Sequence, residues 1–188
     1  MPYYFLMRSP GGDYQLCDTD MPQQKNGLKE NRFIKGSKIK SEEIMEPIII
    51  NLRYIEDVMP EFFMFPLVFR DDLLADILEF GIENIDSYKC TLLDNISGKI
   101  WTEYKVCNII GMLDVFDMNA SKLFVDSPRD DAYLFDEIVI NESKALNQHI
   151  FRPYGRPSDI LISEELKNYL ETKSKYINMQ FVKPKNFA

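Results

Sequence analysis

The chain has 188 residues and a formal net charge of −8, and phosphate backbones and anionic membrane surfaces repel such a charge, so nucleic acids and membranes are not expected partners. Apolar residues supply 45% of the chain and aromatics 13%, which excludes a disordered polymer and suffices for a full core. The longest nearly apolar run, residues 62–69, contains a proline and falls far short of the ~20 residues that cross a bilayer.

In chain order, residues 3–8 read as a strand, 9–13 as a turn and 14–17 as the returning strand. The opening residues lack the basic flank and apolar run of a secretion signal, so the expected location is the cytoplasm. Residues 18–32 are polar and read as a surface excursion, and 33–39 as a weak strand or turn. The β-branched stretch 47–52 reads as a buried strand. Pro60 and residues 62–69 suggest an extended segment or a short turn.

The clearest helix begins at Asp71, where Leu73, Leu74, Ile77, Leu78 and Phe80 recur at helical spacing. Asp71 and Asp72 would cap its free N–H groups and meet the positive dipole end, and Gly81 would stop it. A hairpin follows: strand 88–93, turn 94–99 and return strand 100–112, with Trp101, Tyr104, Val106 and Ile110 favouring a sheet. Residues 113–133 are acidic, contain Pro128 and read mostly as loop. Strands are expected at 136–141 and 149–154, the latter ended by Gly155-Arg156-Pro157, and a short extended piece at 160–162.

The second helix begins after Ser163, a good N-cap. Leu166, Tyr169 and Leu170 form its apolar face, and Lys173 and Lys175 suit its C-terminal end. Residues 179–182 close the chain with a strand. Strands outnumber helices without alternating with them. The expected fold is therefore α+β, mostly antiparallel, with two main helices at about 71–80 and 164–175. Residues 1–46 are expected to form an N-terminal β-rich lobe packed on an α+β domain over 47–188.

Few residues of the chain are suited to catalytic or metal chemistry. His149 is the one histidine, at a strand-like position without a recognisable partner, and reads as structural. Cys17, Cys90 and Cys107 form no CxxC pair and read as reduced core thiols. HExxH, GxSxG, GxGxxG and phosphate-loop patterns are absent, and a Cys/His metal site would lack ligands. That leaves the carboxylate pairs Asp71/Asp72, Asp114/Asp117 and Asp130/Asp131, a residue type that can act as acid and base on a sugar. Helix capping already explains Asp71 and Asp72, and Asp114/Asp117 lack the spacing and glycine of a calcium loop.

Arg152 and Arg156 flank Pro153-Tyr154-Gly155 and could grip a carboxylate or phosphate. The plainer reading there is a turn with exposed arginines. Phe62, Phe63, Phe65 and Phe69 read as core. No catalytic residue, cofactor or metal is expected, so the chain is read as working by binding and not as an enzyme.

Charge is uneven. Residues 51–140 carry seven Lys/Arg against eighteen Asp/Glu, and so hold the whole acidic excess. Such a segment suits a basic partner.

Several stretches, taken in order, resemble the eleventh immunity-protein family of bacterial polymorphic toxin systems. Pro66-Leu67-Val68-Phe69 running into Asp71-Asp72-Leu73-Leu74 is similar to the family's strand leading into a helix. Gly81-Ile82-Glu83-Asn84-Ile85-Asp86-Ser87-Tyr88 and Tyr104-Lys105-Val106-Cys107-Asn108-Ile109-Ile110-Gly111 resemble its hairpin. Leu113-Asp114-Val115-Phe116-Asp117 with Ser121 resembles its acidic stretch. Ile150-Phe151-Arg152, residues 160–167 and Gln180-Phe181 resemble its closing strand, helix and short strand.

The likeness spans roughly 47–183. It implies a cytoplasmic protein that binds and neutralises a cognate toxin domain, a basic one where charge directs the encounter. No catalytic residues come with it. The expected contacts are Asp114, Asp117, Asp126, Asp130 and Asp131, in the least regular and most acidic stretch. Two other readings stand beside this one: a self-associating structural or regulatory protein, forming homo-oligomers, and a carboxylate-dependent hydrolase.

Overall fold

The computed structural model describes residues 1–8, 32–44, 46–52, 59–64, 66–124 and 133–186. The turn and strand expected at 9–17, with Cys17, lie outside the described residues, as do 18–31, Phe65, and 125–132 with Asp126, Pro128, Asp130 and Asp131. The strands are β1 Tyr3–Arg8, β2 Ile48–Leu52, β3 Phe62–Phe63, β4 Val68–Arg70, β5 Ile85–Asp94, β6 Ile100–Ile109, β7 Met112–Leu113, β8 Lys122–Leu123, β9 Phe135–Glu137, β10 Ile150–Pro153, β11 Leu161–Ser163 and β12 Met179–Val182. Helix α1 is Asp71–Glu79 and helix α2 is Glu164–Thr172. The fold is α+β with mostly antiparallel sheets and two main helices.

The chain divides into two compact units, one of residues 8–110 and one joining Met1–Met7 to residues 111–188. In the first, a five-stranded sheet runs β2-β5-β6-β4-β3. Its spine is the antiparallel hairpin β5–β6, and β2 joins β5 in parallel. The register shifts between Cys90, opposite Tyr104, and Leu92, opposite Trp101. Two residues of β6, Thr102 and Glu103, thus face the single Thr91 of β5, a bulge that lets both Trp101 and Tyr104 enter one core with Leu92, Ile48 and Ile50. Strict alternation would have put those two rings on opposite faces. Phe33, Ile39 and Ile44 share this core.

Local chemistry holds the hairpin turn. The buried Asp94 carboxylate accepts from the backbone N–H of Ile96 at 2.9 Å and of Ser97 at 3.0 Å, and from the Ser97 hydroxyl. Gly98 takes φ +74°, a left-handed conformation that favours glycine.

α1 starts from an N-cap, Arg70, that makes no side-chain capping bond. Asp72 supplies part of the expected cap by accepting from the Leu73 N–H at 2.9 Å, while Asp71 pairs with Lys105 at 3.3 Å. Leu73, Leu74 and Ile77 are buried and Leu78 is exposed. Gly81, at φ +102°, follows the helix end as expected.

In the second unit a five-stranded sheet runs β12-β1-β11-β10-β7. β1 and β11 are antiparallel, with Tyr3 opposite Ser163 and Phe5 opposite Leu161. β7 joins β10 in parallel. The core holds Tyr3, Phe5, Phe116, Phe135, Phe151 and Leu161, with the rings of Phe116 and Phe135 4.8 Å apart.

Several element bounds differ from those expected, and β5 begins at Ile85, ahead of the strand expected over 88–93. The return strand expected over 100–112 is cut at Ile109, because Gly111 at φ +105° turns the chain and sends Met112 and Leu113 to the other sheet. The strand expected at 136–141 is Phe135–Glu137, after which Ile140 makes only an isolated bridge to Phe116. α2 stops at Thr172 and not at 175, since Ser174 at φ +54° leaves the helical region.

Candidate functional site

The acidic connector after β7 is built by alternating anchors and exposed groups. Val115 and Phe116 are fully buried in the core of their unit and fix the backbone between the two described candidate carboxylates. Asp114 is exposed and pairs with the Lys144 ammonium at 3.3 Å. Asp117 is half-buried and its carboxylate is committed locally. It accepts from the N–H groups of Asn119 and Ala120, each at 3.1 Å, while its carbonyl accepts from the Ser121 N–H at 2.8 Å. This is a side-chain-capped turn. The Asp117 N–H in turn donates to the Val139 carbonyl at 2.9 Å.

β8 and β9 pair beyond this turn, and Lys122 meets Asp136 at 2.8 Å. That pairing raises the Lys122 ammonium above its ordinary value, through the hydrogen bond to Asp136 first and its charge second. Beside these charges stand exposed apolar side chains: Met118, Leu123, Phe124, Leu134 and Val139. Phe124 is 53% exposed although its N–H is held by the Leu134 carbonyl at 3.0 Å. Exposed aromatic and aliphatic groups among carboxylates make a surface suited to protein recognition. Sequence reasoning found the acids and missed these apolar groups, since nothing local marks Phe124 as exposed and Phe116 as buried.

The other candidates divide differently. Asp72 is bidentate with Arg70 at 2.7 and 3.1 Å, so the Asp71/Asp72 pair is split between two cations. No group of three His, Cys, Asp or Glu able to hold a metal occurs among the described residues. His149 Nδ1 lies 2.9 Å from Ser163 Oγ, a spacing found in nucleophile–base pairs. Yet Ser163 is fully buried, and its Oγ accepts the Leu166 N–H at 3.1 Å as the N-cap of α2.

Arg152 corrects the expectation of exposed arginines: it is wholly buried, and Nη1 donates to the Pro157 carbonyl at 2.7 Å. Its place in the apolar strand β10, between Phe151 and Pro153, buries the stem and leaves the guanidinium to be satisfied from the following turn. Arg156 engages Asp159 in that turn. Burial raises the Asp159 carboxyl above its ordinary value, and the charge of Arg156 opposes that rise. The arginines are thus spent inside the protein. Cys90 and Cys107 are buried free thiols, and desolvation lifts Cys90 to about 12 and Cys107 higher still. Neither is a competent nucleophile at neutral pH.

The molecule is therefore an α+β protein whose described acidic surface mixes carboxylates with exposed apolar groups. The model of the Immunity protein family (Imm11) matches residues 87–186, more than half of the chain, and the chain belongs to that family. The match starts within β5 and includes the whole described connector, whereas α1 and the stretches quoted from Pro66 to Asp86 precede it. No curated protein matches the chain. No helix among the described residues is long and apolar enough to cross a membrane.

Proposed function

We propose that the chain binds a cognate toxin domain in the cytoplasm and neutralises it as a stoichiometric inhibitor, without turning over a substrate. Membership of the immunity family carries this reading. The charge distribution supports it. Residues 51–140 hold eighteen acidic groups against seven basic ones, a field that would steer a basic partner into contact. In this reading Asp114, Asp126, Asp130 and Asp131 face the toxin. Phe124 and Leu134 add the apolar area that tight inhibition needs. Asp117 acts indirectly, holding the turn that follows Asp114.

The test is co-expression with the toxin domain encoded beside this gene. Growth is restored, and the purified pair elutes as a complex of fixed stoichiometry. Reversing charge at Asp114, Asp130 and Asp131 slows association by about tenfold at low salt, and salt narrows the gap. Unchanged association across that series would remove these residues from the interface. Continued growth arrest with every neighbouring toxin domain would end the inhibitor reading.

A further inference from the structure

Two strands of the second unit end together. β7 and β10 run parallel, with Pro153 opposite Leu113, the last residue of each. Tyr154 and Asp114 therefore leave the sheet side by side. One carbonyl fixes both: that of Leu113 accepts the Tyr154 N–H at 2.9 Å and the Val115 N–H at 3.0 Å. Asp114 is thus the centre of a three-residue turn held beside Tyr154.

Tyr154 is also the outer end of a packed row of rings. Its ring lies 6.3 Å from that of Tyr133, which in turn lies 6.2 Å from Phe116 and 5.8 Å from Phe135. Phe116 is fully buried, whereas Tyr154 is 44% exposed. The row roots an exposed ring in the core, which lowers the ordering cost of using that ring in a contact. At Asp114 the structure already holds a cation, the Lys144 ammonium at 3.3 Å, and the Asp114 and Lys144 side chains are 62% and 43% exposed. An ion pair so open to water is weak and exchanges readily.

We propose that Asp114 and Tyr154 together seat one arginine of the partner protein, its guanidinium on the carboxylate and its plane against the ring. That the partner is the toxin domain rests on the inhibitor reading. The acidic excess of residues 51–140 draws a basic partner in. An aromatic ring beside a carboxylate suits a guanidinium better than an ammonium, because the guanidinium is planar, forks onto a carboxylate and is less strongly hydrated. Lys144 holds the seat in the free protein and yields it. The exchange replaces one cation by another, so the Asp114 carboxylate keeps a partner throughout, and it adds the contact with the ring.

The probes are three acetylated Gly-Ser-X-Ser-Gly amides, with X arginine, lysine or citrulline, the uncharged isostere of arginine. Each is titrated into the full chain at low salt and followed through the tyrosine ring signals in NMR spectra. The arginine peptide moves the Tyr154 signals and binds about threefold tighter than the lysine peptide, and the citrulline peptide does not bind. Tyr154→Leu removes the preference for arginine over lysine, Tyr154→Phe keeps it, and Asp114→Asn weakens both charged peptides. Lys144→Gln removes the resident competitor and tightens the arginine peptide about threefold. Equal binding of the arginine and lysine peptides, unmoved Tyr154 signals, or weaker or unchanged binding in Lys144→Gln overturns the proposal. Against the toxin domain encoded beside this gene, Tyr154→Leu and Asp114→Asn each speed dissociation about fivefold. Failure of the unaltered chain to restore growth ends the inhibitor reading, whatever the peptides do. Restored growth with unchanged dissociation in both variants ends the arginine seat alone.

Discussion

The hairpin β5–β6 and the strand pair β1–β11 are both antiparallel and both feed a buried core, yet they are specified in opposite ways. In the hairpin a six-residue segment, 94–99, carries its own instructions: one buried carboxylate, one hydroxyl and one glycine fix the reversal. In the other pair Phe5 meets Leu161 across almost the whole chain, and no residue between them dictates the register. Closing so long a loop adds little extra entropy cost, because that cost grows only with the logarithm of length. What β1 lacks is local information. Its place is set by the fully buried Phe5 and Leu6 and by the apolar faces they meet.

The sharpest way to break this contrast is to remove an anchor from the long-range pair. Phe5→Ala deletes a ring with no exposure and should cost about 3–5 kcal/mol in urea denaturation. A loss under about 1 kcal/mol would mean that β1 is held by its backbone bonds and not by its side chains.

A second substitution probes a contact that is long-range but steric. Gly155 sits at φ +79°, and a Cβ built there would lie 2.2 Å from the Tyr133 ring. Gly155→Ala should cost about 2–4 kcal/mol, from the strained backbone and the displaced ring together. In a Tyr133→Ala background the steric part disappears, leaving about 1 kcal/mol of backbone strain. Equal losses in both backgrounds would remove the ring from the explanation.

The same distinction decides what can be read before the fold is known. Both helices, the hairpin and the closing strand are legible, because their signals sit within a few residues: Leu73, Leu74 and Ile77 for α1, Ser163 for the start of α2, Asp94 and Gly98 for the turn. The β6 bulge is not legible, since only the depth of the core shows that Trp101 and Tyr104 must share a face. Nor is the burial of Arg152, whose carbonyl partner on Pro157 is near in sequence but says nothing of what covers it.

For the candidate site, the acidity of the connector is plain in the composition. The turn made by Asp117 is recoverable from the small polar residues after it. The exposed Phe124 and Leu134 carry no such signal, for exposure depends on the rest of the fold.

The two helix starts give a finer comparison, since the N-cap residue of α2 makes a side-chain capping bond and that of α1, Arg70, does not. Ser163→Ala removes the acceptor for the Leu166 N–H and the neighbour of His149, and should cost about 1–2 kcal/mol. The loss should appear as faster amide exchange in the first turn of α2, with α1 unchanged. Exchange that rises equally in both helices would show a global effect and not the loss of a cap.

The smallest effect returns to the hairpin turn and depends on pH. The Asp94 carboxyl is held below its ordinary value, by the Ser97 hydroxyl first and the Ile96 N–H next, against an opposing contribution from burial. A carboxyl whose folded pKa is depressed binds its proton more weakly folded than unfolded. Its stabilisation is therefore complete above the unfolded value of about 4, and is lost as pH falls through the lower folded value. Asp94→Asn keeps the shape and one acceptor but cannot ionise. The variant should be less stable than the parent near neutral pH, and the two should converge in strong acid, read from urea midpoints or from amide exchange at Ile96 and Ser97. A gap of constant size across that range would mean that the turn is held by shape and hydrogen-bond count alone. The charge on Asp94 would then contribute nothing, and the contrast between a locally instructed hairpin and a remotely instructed strand would rest on Gly98 instead.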